Sequence, residues 1–235
     1  MPNLPTLKLE WGVEGLNLAV DREDNIVIID QLRFSSAVVT AIALGFTIEP
    51  TLDKTRKTES FSLSPTAFLG KSPRRVVIAS PNGAYLSFNA KGEKQVVYGS
   101  ILNAKAVAEW VDNLNENTTL LAAGEVDVEG REQFLDKQEK IKTKENKIFA
   151  FEDFIAAGAI AYFSKMNKSE YCIEAQNLYV EVKDRLLDRI IDTTSHRYNE
   201  AKGKGKDTVL CAQLNFYKVV PKLHFINNVP EITAD

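Results

Sequence analysis

Residues 25–45 read NIVIIDQLRFSSAVVTAIALG. Ile26, Val27, Ile28 and Ile29 form a short apolar run with no polar alternation, the pattern of a strand buried on both faces. The run ends on Asp30. From Ser35 the chain changes character, and SSAVVTAIALGF predicts a helix closing near Gly45. A doubly buried strand passing directly into a helix is a building unit of α/β proteins.

The same alternation recurs down the chain. TIEP offers a short strand, RRVVIAS (74–80) another, ended by Pro81-Asn82-Gly83, and QVVYGS (95–100) a third. NAKAVAEWVDNL (103–114) spaces Ala, Val and Trp for a helix, and TTLLAAG (118–124) is the next strand. Residues 129–147 form a charged, weakly patterned stretch expected as a solvated excursion. FEDFIAAGAIAYF and SEYCIEAQNLYVEVKDRLLDRIID predict helices. AKGKGKD is a breaker segment, and YKVVPKL could return one strand to the sheet. The expected fold is α/β, a three-layer α/β/α arrangement with a mostly parallel or mixed sheet.

The 235 residues suit one large domain or two small lobes. With 44% hydrophobic and 26% charged residues the composition is that of an ordinary globular protein. A net charge of −3 with interspersed signs gives no reason to expect nucleic acid or an anionic membrane as partner. No apolar run approaches the ~20 residues of a membrane span. MPNLPTLKLEWG lacks the basic-then-apolar layout of a signal peptide, so a cytoplasmic protein with Cys172 and Cys211 reduced is the expectation. A homo-oligomer is left open.

In open α/β sheets ligands bind at the carboxyl ends of the strands. Here each apolar run gives way to polar and small residues: Asp30, Arg33, Ser35 and Ser36 after the first, and Ser80, Asn82 and Gly83 after RRVVIA. Gly99, Ser100 and Asn103 come after QVVY, and Gly124 and Glu125 after TLLAA. If these strands are parallel neighbours, all four sets share one rim, where small residues and helix starts favour an anion. Ser35, Ser36 and Asn103 also stand where helix caps fall, and Asn82-Gly83 alone is a tight turn. Arg33 has the planar fork that binds a phosphate or carboxylate through two bonds. Asp30, at the end of a buried strand, needs a metal, an arginine or backbone donors to offset lost hydration. Glu125 and the pair Glu152-Asp153 complete an acidic set that suits either a helix dipole or Mg²⁺. GKGK (203–206) lacks P-loop spacing and is expected to be a flexible turn. His196 and His224 lack metal-ligand partners at useful spacing.

Taken in order, IVIIDQLRFSSAVVTAIALG, LSPTAF, ASPNGAYL, YGSILNAKAVA, LLAAGE and FEDFIAAGAIAYF resemble the 2-phosphosulfolactate phosphatases. LEWGVEGL and DTVLCAQLNFYKVVP extend the likeness over nearly the whole chain. The resemblance implies a Mg²⁺-dependent hydrolase that removes phosphate from 2-phospho-3-sulfolactate, a step toward coenzyme M, and two related subdomains at about 1–115 and 116–235. By motif it assigns Asp30, Arg33, Ser35 and Ser36 to the block after the first strand. Asn82 and Gly83 fall in the N-G turn, Ser100 and Asn103 in the G-S-x-x-N-A block, and Glu152 and Asp153 at the E-D helix start. KTRKTESFSLSP lacks the family's G-E-R-G-like loop, keeping only Ser64-Pro65, which is similar to a shorter-loop subgroup. The expected site thus has Asp30 and Arg33 as catalytic residues. Arg33, Ser35, Ser36, Asn82, Gly83, Ser100 and Asn103 would hold a small phosphate ester, and Asp30, Glu125, Glu152 and Asp153 the Mg²⁺. The alternative is a relative that binds an anionic metabolite without turning it over.

Overall fold

The computed structural model describes residues 4–56, 58, 61–90, 92, 94–126 and 147–234. Strand β1 (Thr6–Trp11) and helix α1 (Gly12–Asp21) lead into β2 (Asn25–Ile29) and α2 (Phe34–Ala43). Then come β3 (Thr47–Thr51), β4 (Arg75–Ala79), α3 (Gly83–Asn89), β5 (Val96–Gly99), α4 (Ala104–Leu114) and β6 (Thr118–Ala122). The second half holds the short pair β7 (Glu125–Val126) and β8 (Lys147–Ile148), then α5 (Phe151–Phe163), β9 (Asn167–Lys168) and α6 (Glu170–Val182). It ends with α7 (Leu186–Ile191), α8 (Thr194–Ala201), α9 (Lys206–Cys211), β10 (Lys222–Ile226) and β11 (Val229–Thr233). The charged excursion lies, save its last residue, outside the described residues.

Among the described residues nine strands form one sheet in the order β4-β3-β11-β10-β5-β2-β6-β1-β9. β2 sits between β5 and β6, parallel to both, and β6–β1, β1–β9 and β3–β4 are also parallel. Its alternate residues feed two separate cores. Val27 and Ile29 pack with α4, α5 and α6, whereas Ile26 and Ile28 pack with α1, α2 and α3. This is why residues 26–29 are apolar without alternation, and it makes the fold three layers.

The sheet is mixed because of a hairpin. β10 and β11 are antiparallel, joined by Asn227 and Asn228 at φ 51° and 66°, the two left-handed residues of a type I′ turn. β10 pairs with β5 through Lys222 and Val97, and β11 with β3 through Ile232 and Ile48. The sequence expectation of one returning strand at YKVVPKL is therefore corrected: the strand begins at Lys222 and brings a second one with it.

A flat sheet would hold β2 and β4, five strand spacings apart, at roughly 24 Å. The residues just beyond their carboxyl ends nonetheless line one cavity, so the sheet curls round α2. That helix touches β3, β5 and β11, and every residue from Phe34 to Ile42 is buried. A helix enclosed on all sides must be apolar all round, as AVVTAIA is.

Candidate active site

At the carboxyl end of β2 a cavity of ≈ 140 Å³ opens to solvent. Its wall combines residues from widely separated segments: Asp30, Leu32 and Arg33 after β2, Leu63, Ser80-Pro81-Asn82 after β4, Glu125, and Tyr198, Asn199, Lys202 and Lys204 from the end of α8. The strand-end rule thus places three of the four expected sets around one space. The fourth, Ser100 and Asn103, is absent from the wall.

Asp30 is 8% exposed, and its Oδ1 accepts the Phe34 N–H at 3.1 Å, which fixes the carboxylate at the start of α2. Asn82 donates from Nδ2 to Glu125 Oε2 at 3.1 Å, while its buried Oδ1 has no hydrogen-bond partner among the described residues. Glu125 Oε1 accepts the Ser195 hydroxyl at 3.2 Å. Behind this wall stand Glu152 and Asp153 in the first turn of α5, both buried. Asp153 receives the Gln31 N–H at 2.7 Å on one oxygen and the Gly124 N–H at 3.0 Å on the other, tying the turns after β2 and β6 together. Burial, then the charge of Glu125, pushes Glu152 up to about 7. Burial, then the charges of Glu152 and Asp30, raises Asp153 well above the usual carboxylate range. Burial and neighbouring carboxylates thus disfavour the ionisation of Glu152 and Asp153 behind the cavity wall.

Arg33 lines the cavity and donates from Nη1 to Asp207 Oδ2; both side chains are buried. The other oxygen of Asp207 accepts the hydroxyls of Ser64 and Thr66, each at 2.6 Å. One carboxylate in α9 therefore clasps the turn after β2 to the 3-10 helix Pro65–Phe68.

The hydroxyls expected to hold oxyanions face the backbone instead. Ser35 Oγ accepts the Asp30 N–H at 2.9 Å and donates to the Ile28 carbonyl at 3.1 Å, and Ser36 donates to the Gln31 carbonyl at 2.8 Å. Ser100 and Asn103 make a capping box: Ser100 Oγ accepts the Leu102 N–H at 3.2 Å, and Asn103 Oδ1 accepts the Ser100 N–H at 2.9 Å. Asn103 Nδ2 also donates to the carbonyls of Tyr98 and Val219. All four side chains are fully buried. Gly83 is set by packing, since a Cβ there would lie 2.0 Å from Phe34 Cδ1. These five residues build the turns and leave the cavity to others.

Several wall residues carried no functional signal in the sequence. Tyr198 and Asn199, and behind the wall Asp207 and Ser195, which bond to Arg33 and Glu125, lie on helices whose polar residues resemble any solvated face. Lys202 and Lys204 belong to the AKGKGKD segment read as a breaker, with GKGK (203–206) in it expected to be a flexible turn. The Ser64-Pro65 pair was visible, but its acceptor, Asp207, lies 143 positions away in the chain.

The family profile of 2-phosphosulpholactate phosphatase matches residues 53–225. The chain belongs to that family. The match begins after the Asp30–Ser36 turn, but full-length relatives extend over it. A protein of Carboxydothermus hydrogenoformans is 25% identical, with 90% of each chain covered. One of Thermotoga petrophila is 28% identical over 84% of this chain and 88% of its own. One of Clostridium novyi is 24% identical over 97% of this chain and its whole own length. Each is named a probable 2-phosphosulfolactate phosphatase.

Among the described residues no three His, Cys, Asp or Glu side chains already stand in a metal-holding arrangement, and no helix is long and apolar enough to cross a membrane. The donor set nevertheless fits a hard cation. Asp30 and Glu125 supply carboxylate oxygens at the wall, Asn82 Oδ1 is a buried oxygen without a donor among the described residues, and Glu152 and Asp153 stand behind as further carboxyl groups. Mg²⁺ takes few protein carboxylates and completes its shell with water and phosphate oxygens.

Proposed function

We propose that this protein is a Mg²⁺-dependent phosphomonoesterase whose substrate is a small anionic phosphate ester, 2-phospho-3-sulfolactate in the first instance. The observation that carries the reading is the shared wall of Asp30, Glu125, Arg33 and Asn82, which sets carboxylates for a cation beside a guanidinium for a phosphate. The family membership and the relatives' names support the substrate.

In this reading Asp30, Glu125 and Asn82 Oδ1 hold the metal. Mg²⁺ bound there would neutralise phosphoryl oxygens and favour attack at phosphorus. Arg33 holds a phosphate oxygen with the N–H groups not engaged by Asp207, and the clasp keeps its fork from swinging toward the carboxylates. Asp30, fixed by the Phe34 N–H, sets one edge of the phosphate position. Water adds to phosphorus, the P–O ester bond breaks, and the alcohol leaves with a proton.

Release of inorganic phosphate from 2-phospho-3-sulfolactate tests this. Activity should vanish with chelator, return with Mg²⁺, and fall about 10³-fold in Asp30→Asn, the range lost when a charge-stabilising group is removed. Tight binding of the ester without phosphate release under any condition would instead establish a non-catalytic relative.

A further inference from the structure

Residues 192–209, DTTSHRYNEAKGKGKDTV, run from the end of α7 through α8 into the first turn of α9. Among the described residues none of this stretch joins an apolar cluster, whereas both flanks do: Leu186 and Ile190 before it, Leu210 and Cys211 after it. Its two aliphatic side chains, Ala201 and Val209, are exposed. The face that α8 buries is instead wholly polar, made of Thr194, Ser195, His196 and Asn199. A helix of eight residues is marginal by itself and is normally held down by an apolar stripe. α8 has no such stripe, so burial of apolar surface does not hold it in place.

Polar bonds hold it. Thr193 Oγ1 accepts the His196 N–H at 3.2 Å, and His196 Nδ1 bonds to Thr208 Oγ1 at 2.8 Å, which joins α8 to α9 as one piece. Toward the body of the molecule, Ser195 donates to Glu125, and Asp207 accepts from Arg33, Ser64 and Thr66. Two of these latches end on side chains that face the cavity, Glu125 and Arg33. Each bond replaces one to water, so its net worth is small. A stretch held by a few of them opens at lower cost than a helix packed into the core. Opening uncovers one side of the site, because Tyr198, Asn199, Lys202 and Lys204 make that side of the wall.

We propose that residues 192–209 form a lid, which swings as a unit about the ends fixed at Ile190 and Leu210 and closes over a metal and phosphate in the cavity. This rests on the reading of that site given above. The ligands meet the lid only when it is down, and they hold Glu125 and Arg33 where the latches grip them. Bound ligand therefore shifts the equilibrium toward the closed form.

The test is hydrogen–deuterium exchange of the whole chain, read by mass spectrometry on peptides from the lid and from α6. α6 is the reference because it packs Cys172, Ala175 and Tyr179 into the core. Without ligand the α8 amides should exchange about 100-fold faster than those of α6, through an opening of their own. Saturating Mg²⁺ and inorganic phosphate should slow the lid at least about fivefold and leave α6 within about twofold. Ser195→Ala removes one latch and should speed lid exchange about 2–10-fold, again with α6 unchanged. A lid as slow as α6 without ligand, or one that ignores Mg²⁺ and phosphate, would overturn the proposal. Phosphate release from 2-phospho-3-sulfolactate is followed on the same protein. Release with an unresponsive lid refutes the lid alone, and a responsive lid without release refutes hydrolysis alone.

Discussion

Two sets of buried polar side chains flank α2, and they differ in what they bond. Ser35, Ser36, Ser100 and Asn103 are fully enclosed and bond to main-chain N–H and carbonyl groups, mostly of their own turns. Asp30, Asn82 and Glu125 are almost as deeply buried, yet they line a cavity, and Asn82 leaves an oxygen unpartnered among the described residues. The first set stabilises the fold, because each buried donor and acceptor has its complement. Behind the second set the fold carries Glu152 and Asp153, whose pKa values are raised by burial and by the neighbouring carboxylates. Such a cluster persists where something outside the chain completes it. The comparison therefore separates scaffold from site without reference to residue type.

The largest expected effect that would break this division comes from Asn103. Replacing it with alanine removes four hydrogen bonds to Ser100, Tyr98 and Val219 and leaves buried groups unsatisfied. Denaturant unfolding should show a loss of about 2–4 kcal/mol, while turnover per folded molecule stays near wild type. A variant as stable as wild type but inactive would move Asn103 from scaffold to site.

A smaller effect sharpens the other side. Glu152, with its pKa near 7, and Asp153 keep protons in the native state at pH values where the unfolded chain has released them. The native state then binds more protons than the unfolded one, so metal-free stability falls as pH rises from the usual carboxylate range to about 7. Thermal unfolding in chelator should give a higher Tm at pH 5 than at pH 8, and Mg²⁺ should raise Tm more at pH 8 than at pH 5. A metal-free Tm that climbs over this range would mean the acidic cluster is already compensated within the chain.

How much of the fold and the site was legible in the sequence tracks the same physical division. The strand 26–29 and the helix behind it were readable because burial on both faces imposes an unbroken apolar run. Asp30 stood out because a carboxylate at the end of such a run demands a partner. The serines were located correctly, but one hydroxyl can cap a helix or bind an anion, and only the folded arrangement shows which. Asp207 was illegible because its meaning comes from Arg33, 174 residues earlier. The helix cap at the end of α8, where Gly203 at φ +72° lets the Lys204 N–H reach the Asn199 carbonyl at 2.9 Å, looked like a flexible turn, since glycine and lysine suit both. The hairpin at the end did carry a signal: Asn227-Asn228 between VVPKLHFI and VPEIT is a two-residue turn that a closer look at turn chemistry would have found. The curl that brings β4 to β2 depends on that hairpin. The strand-end rule could therefore raise the convergence of Asn82 with Asp30 as an expectation, but the sheet's curvature decides it.

The central claim is that the acidic wall at Asp30 and Glu125 holds a divalent cation beside a phosphate on Arg33. The most direct measurement is a crystal soaked with Mn²⁺ in place of Mg²⁺ together with inorganic phosphate, probed by anomalous scattering. The account predicts one Mn²⁺ peak within coordination distance of Asp30 and Glu125, with phosphate density bridging it to Arg33. Mn²⁺ bound elsewhere, or phosphate seated away from Arg33 with the acidic wall empty, would contradict it.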